Sequence, residues 1–397
     1  IIREAVAELI LEVADAGAAD PSLIVDLVFV ANPVMHHILL GLSPVELGGA
    51  PFTLTVSSAV DVLARDLDIV NVNVAASVHL LPCIAGHVGA DAAGMVLAEA
   101  PQESSALTLL VDVGTNAEIV LGNSQRLLAC SSPTGPAFEG AQISCGQRAA
   151  PGAIERVRID ADTFSARFKV IGSDVWSDHP DFDHDVTGIC GSGIIEVIAE
   201  MYLAGIVTSD GVIDGSLVER CPAIVPEGRT FAFILHDGQI KVRVSQNDVR
   251  QIQLAKAALY AGTKLLMQRF GVAHVDRVRL AGAFGSQIDV TRAMAIGLIP
   301  DCKLTEVSSA GNAAGTGARI ALLNSRARLE IQNVVRQIEK IETATEADFQ
   351  AFFVDAMSFP HGSDRFPNLF GLFAEPEVIE IATEESNRRG RRNRRRS

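Results

Sequence analysis

Residues 107–121 read Leu107-Thr108-Leu109-Leu110-Val111-Asp112-Val113-Gly114-Thr115-Asn116-Ala117-Glu118-Ile119-Val120-Leu121, two apolar strands joined by a phosphate-sized turn behind one carboxylate. Leu109, Val111 and Val113 lead in, Ile119 to Leu121 lead out, and Gly114 lets a ligand approach the backbone. Such a turn points successive N–H groups and the Thr115 hydroxyl at one spot, which suits a phosphate, while Asp112 can hold the waters of Mg2+. The same residues also suit an ordinary hairpin whose Gly-Thr-Asn is good turn chemistry. The segment alone does not choose.

Three glycine-bearing segments follow, each beside an apolar run. Gly188-Ile189-Cys190-Gly191-Ser192-Gly193 opens a helical pattern from Ile194 to Met201, where free N–H groups favour an anion. Val278-Arg279-Leu280-Ala281-Gly282-Ala283-Phe284-Gly285-Ser286 is a strand running into small residues, against which a base or ribose can lie. Gly311 to Ala318 opens a helix that continues to Leu323 and permits close packing or hinge motion. Among 33 glycines, close packing accounts for any one cluster without a ligand.

In this order the segments resemble the ATPase superfamily of actin, the heat-shock 70 chaperones and the sugar kinases. Asp112-Val113-Gly114-Thr115-Asn116 resembles its second phosphate motif and Leu280 to Gly285 its adenosine motif. Ser132 to Ala141, Gly146 to Glu155, Gly188 to Gly193 and Asp248 to Ala258 further resemble the reductive activators of corrinoid proteins, over residues 25 to 325. The resemblance implies an α/β fold of two ribonuclease-H-like halves, mixed sheets flanked by helices. It also implies Mg2+ and ATP as ligands, and an ATPase that returns a methyl-transferring corrinoid protein from Co(II) to Co(I). Under it Asp112 is the catalytic and Mg2+ residue, acting through water. Gly114, Thr115 and Asn116 meet phosphates, Gly282, Ala283 and Gly285 meet adenosine, and Gly191, Ser192, Gly193 and Lys256 line the nucleotide.

Two family features are absent from this sequence: an Asp-x-Gly-Thr-Thr turn ahead of Ala31-Asn32-Pro33-Val34, and the cysteine run of a 2Fe-2S ferredoxin domain. The expectation is therefore the C-terminal portion of a longer protein, the first half incomplete and the cluster carried elsewhere. The expected partners are a corrinoid protein of a methyltransferase system and an electron donor to that ferredoxin domain, and a homodimer is left open. The expected divisions are residues 1–98 as the remainder of the first half, 99–326 as the second half, 327–381 as a helical extension and 382–397 as a disordered tail. A small-molecule kinase and a nucleotide-switched binding protein share the same cradle and stay open.

At 397 residues and 48% apolar composition the chain can bury a large core. Asp26, His36, His37, His87 and Asp91 interrupt the longest apolar candidates, so no membrane span is expected and the cytoplasm is the expected compartment. The six cysteines include no Cys-x-x-Cys pair and read as buried thiols. Seven arginines between Arg388 and Arg396 stand in a chain of formal charge −15, and removing them takes it to −22. An acidic body disfavours nucleic acid as the partner. Asp91, near the start of the Val88 to Leu97 pattern, either meets that helix N-terminus or faces the nucleotide cleft. Lys256 is either a solvated helix lysine or a nucleotide contact. His179 to Asp185 carries metal-ligand residue types without helical spacing and reads as a solvated loop.

Overall fold

The computed structural model describes residues 1–285 and 287–376. Its centre is a six-stranded sheet in the order Val307–Gly311, Arg277–Ala281, Thr108–Val113, Ala117–Gly122, Leu127–Ser132, Glu339–Lys340. The three strands from Thr108 to Ser132 pair antiparallel as successive hairpins. Arg277–Ala281 and Val307–Gly311 then join parallel, as crossover connections require. This is the strand order of a ribonuclease-H-like half.

Alternation along Thr108–Val113 divides the core in two. Leu109, Val111 and Val113 enter one cluster with the helices Gly191–Leu203 and Gln246–Phe270, while Leu110 enters a second with the helices Ala90–Glu99, Ala313–Leu323 and Ser325–Val335. Leu109, Leu110 and Val111 are all 0% exposed, and each such side chain contributes about 1.5–3 kcal/mol of apolar burial. By the same alternation Asp112 shares the face of Leu110, towards the Ala90–Glu99 helix.

Elements expected from the pattern form where local chemistry favours them. The Gln246–Phe270 helix begins at a capping box, Ser245 and Asp248 each satisfying the other's backbone N–H. Asn312 caps the helix that opens at the small-residue run, its side chain accepting from Gly315 N–H. The region from residue 327 onward is not purely helical, because Glu339–Lys340 adds an edge strand parallel to Leu128–Ala129. Two residues carry too little periodicity to announce a strand. The arginines from 388 to 396 lie outside the described residues.

Near the N-terminus a separate three-stranded sheet, Asp26–Phe29, Ser77–Leu80 and Val60–Leu63, packs with the helix Ile2–Ala16. It is tied to the rest through the helix Ala313–Leu323 and an ion pair between Asp26 and Arg328. The helices Ala90–Glu99 and Ala313–Leu323 touch backbone to backbone: a Cβ on Gly317 would lie 2.0 Å from the Gly94 carbonyl oxygen. Only glycine fits there. Replacing Gly317 by Ala should cost roughly 1–3 kcal/mol of unfolding free energy through overpacking. Gly48 has nothing within 4 Å of the same position and serves as the control. Urea denaturation of Gly317→Ala and Gly48→Ala compares them, and equal midpoints would show that the crossing relaxes freely.

Candidate functional site

The hairpin register sets Val113 opposite Ala117 and leaves Gly114, Thr115 and Asn116 as a three-residue loop, with Gly114 N–H donating to the Asn116 carbonyl at 3.1 Å. A second segment braces the loop. The Thr134 hydroxyl lies 2.7 Å and 3.0 Å from the carbonyl oxygens of Gly114 and Thr115, and Gly135 N–H donates to Thr115 at 2.9 Å. Thr115 and Asn116 stay exposed.

Three carboxylates converge behind this loop. Asp112 and Glu118 are direct cross-strand partners, which puts their side chains on one face. Asp91, in the first turn of the Ala90–Glu99 helix, approaches from the element packed on that face, its oxygen accepting from Ala92 N–H at 2.8 Å. Burial, then the charge of Asp91, pushes Asp112 up to about 6. Glu118 is driven well upward by burial and by the charges of Asp91 and Asp112, and Asp91 is raised by burial. Among the described residues none of the three has an ion-pair partner.

Elsewhere the chain compensates buried acids. Glu196, 0% exposed, accepts from Arg156 and Arg158 at 2.6 Å and from Val157 N–H at 2.9 Å. Glu200 likewise takes Arg292 at 2.6 Å and Ile159 N–H. Among the described residues the trio has no such arginine, and its gathered charge fits a cation supplied with a ligand. No three His, Cys, Asp or Glu side chains among the described residues could hold a metal ion together. A divalent ion here would keep most of its water, as Mg2+ does beside phosphates.

The end of the neighbouring strand completes the group. Ala281 pairs with Asp112, and Gly282 follows at φ +86, where a Cβ would lie 2.3 Å from Asp112 Oδ1. Glycine is thus required twice, for the left-handed backbone and for room beside the carboxylate. Asp112, Gly114, Thr115, Asn116 and Gly282 therefore come together.

The other expected site residues are placed differently. Gly285 packs against the end of its own strand, its Cβ position 3.1 Å from the Leu280 carbonyl carbon, and the side chain of Ala283 lies outside the described residues. Gly191, Ser192 and Gly193 are buried, and a Cβ on Gly193 would stand 2.2 Å from the Ile154 carbonyl oxygen. Packing alone explains that glycine. Lys256 is not brought to the loop at all: it is 0% exposed, and its ammonium donates to the carbonyls of Ser358 and of Pro360, the latter at 2.9 Å, with Phe359 alongside. Burial pulls it well below the usual lysine range. Its four-carbon stem reaches the segment after residue 357, which helical spacing could not reveal. Two residues at the loop were not singled out from sequence, Glu118 and Glu139. The hairpin register would have found Glu118, six residues after Asp112.

The family description "C-terminal domain of RACo the ASKHA domain" matches residues 106–370, and "RACo middle region" matches residues 1–103. The chain belongs to the family of reductive activators of corrinoid proteins. Its fold is accordingly the actin-like ATPase fold. Within the family it is similar to "Corrinoid activation enzyme RamQ" of Eubacterium limosum, 34% identical over 361 residues. It is also similar to "[Co(II) methylated amine-specific corrinoid protein] reductase" of Methanosarcina barkeri, 26% identical over 324 residues. These matches cover 88% and 77% of this chain but only 58% and 56% of the relatives. A solved "Reductive activator for corrinoid,iron-sulfur protein" superposes with a TM-score of 0.78 at 31% identity, covering 90% of this chain and 57% of that one. Among the described residues no helix is long and apolar enough to cross a membrane.

The site's charge has a measurable cost. Asp112 is held at about 6 against an ordinary 3.8, so between those values the folded chain binds more protons than the unfolded one. Stability then falls as pH rises through that window and stays lower above it. Asp112→Asn should melt several degrees higher than wild type at pH 7.5, and the gap should close near pH 4. Scanning calorimetry at the two pH values checks this; an Asn variant that melts no higher at pH 7.5 would mean that the carboxylates do not strain the fold.

Proposed function

We propose that this chain is the nucleotide-handling portion of an activator that returns a methyltransferase corrinoid protein from Co(II) to Co(I) at the expense of ATP. The observation that carries the reading is the trio Asp91, Asp112 and Glu118, without ion-pair partners among the described residues, behind a Gly114-Thr115-Asn116 loop whose Thr115 and Asn116 are exposed, in a chain of this family. In this reading Asp112 holds Mg2+ through water, the N–H groups of Thr115 and Asn116 hold phosphates that approach over Gly114, and Gly282, Ala283 and Gly285 lie against adenosine. The electron comes from a 2Fe-2S domain outside this chain, fed by its own donor, and the corrinoid protein docks as substrate.

The physical need for nucleotide follows from the couple. Co(II)/Co(I) lies at very low potential, and each 59 mV of uphill one-electron transfer costs about 1.4 kcal/mol. Bound ATP supplies free energy for a complex in which cobalt loses a ligand and accepts the electron more readily. The chain's own residues serve by fixing donors before the ligand arrives, which is where such sites gain most.

Asp112→Ala should lower Mg2+-dependent hydrolysis by roughly 10²-fold while changing nucleotide affinity far less. Phosphate release and calorimetry measure the two. An anaerobic assay with a low-potential donor and a Co(II) corrinoid protein, followed by the Co(I) absorption with and without ATP, tests the activity itself. Nucleotide-independent Co(I) formation would refute the coupling, and phosphoryl transfer to a small hydroxyl substrate would assign a kinase instead.

A further inference from the structure

Glu139 stands on the other side of the phosphate loop from the carboxylate trio. It ends the turn Pro136–Glu139, whose Ala137 and Phe138 are buried at 1% and 0% exposure, and both the Gly191–Leu203 and Gln246–Phe270 helices pack on that turn. The support is therefore rigid, while Glu139 itself is exposed. Its Oε1 accepts the Thr115 hydroxyl proton at 2.5 Å, and among the described residues its carboxylate has no ion-pair partner.

A threonine hydroxyl has one proton to give. While Thr115 donates to Glu139, it cannot donate to a phosphate oxygen. We propose that Glu139 competes with phosphate for the Thr115 hydroxyl and so makes the loop discriminate against nucleotide that arrives without a divalent cation. The inference rests on the nucleotide reading above and adds to it a selectivity residue. Its basis is simple electrostatics. Carboxylate and phosphate are both charged acceptors, so the hydroxyl changes hands at little net cost and the discrimination arises from the charge that is left behind. Once displaced, the carboxylate remains beside phosphate oxygens of the same sign, on a turn that the buried Ala137 and Phe138 hold in place. A divalent cation on the phosphates cancels that repulsion, and metal-free ATP leaves it in full.

Glu139→Gln keeps the shape and an acceptor for Thr115 but removes the charge. Calorimetric titration of wild type and variant with ATP, in excess Mg2+ and in excess EDTA, gives two affinities for each protein. Metal-free ATP should bind Glu139→Gln about tenfold more tightly than wild type, with the Mg-ATP affinity changed less than about twofold. In a Thr115→Val background the same substitution should keep the part of that gain that comes from through-space repulsion and lose the part that came from the shared hydroxyl. A metal-free affinity within about twofold of wild type, or an equal loss in both conditions, would overturn the proposal and leave Glu139 a brace for the loop. If wild type binds ATP in neither condition, the nucleotide reading itself fails and takes this inference with it.

Discussion

The strand Thr108–Val113 is hydrogen-bonded along both edges, antiparallel to Ala117–Gly122 and parallel to Arg277–Ala281. Everything at the candidate site depends on that double pairing. One edge brings Glu118 opposite Asp112, the other brings Ala281 and Gly282 to it, and alternation turns Asp112 towards the helix that carries Asp91. A register slip of one residue on either edge would send the carboxylate to the opposite face, among Leu109, Val111 and Val113.

The same placement leaves like charges together in a poorly solvated space. The chain has arginines available to neutralise buried acids and uses them at Glu196 and Glu200. At Asp91, Asp112 and Glu118 it does not. Nothing in the packing requires carboxylates there, since Leu110 and Val120 on the same strands pack without polar groups. The arrangement costs the fold stability and leaves negative charge where a cation and phosphates can meet, the pattern by which sites separate from scaffolds.

Glycines show how far local reading extends. Gly282, Gly193 and Gly317 all stand in small-residue runs. In the fold, Gly282 makes room for a carboxylate, Gly193 for a strand carbonyl and Gly317 for a crossing helix. Their sequence contexts do not separate these reasons, because a missing Cβ signals close approach without saying what approaches. Lys256 illustrates the converse. Its place on a helix was plain and read as a solvated lysine or a nucleotide contact, yet its partners are carbonyls about a hundred residues later in the chain.

The sequence by itself determined the strands around Asp112, the turn between them, a helix beginning near Asp248 and another opening in the run from Gly311, and enough ordered motif to name the family. Periodicity, capping and turn chemistry are local, so residues a few positions apart carry them. Only the tertiary structure decided that Asp91 and Glu118 join Asp112, that Glu139 holds Thr115, that Lys256 is spent on the C-terminal segment, and that Glu339–Lys340 closes the sheet edge. Those outcomes depend on strand order and on charges acting through space across more than twenty to a hundred positions of chain, or on register across a hairpin. No spacing rule in a single sequence encodes them.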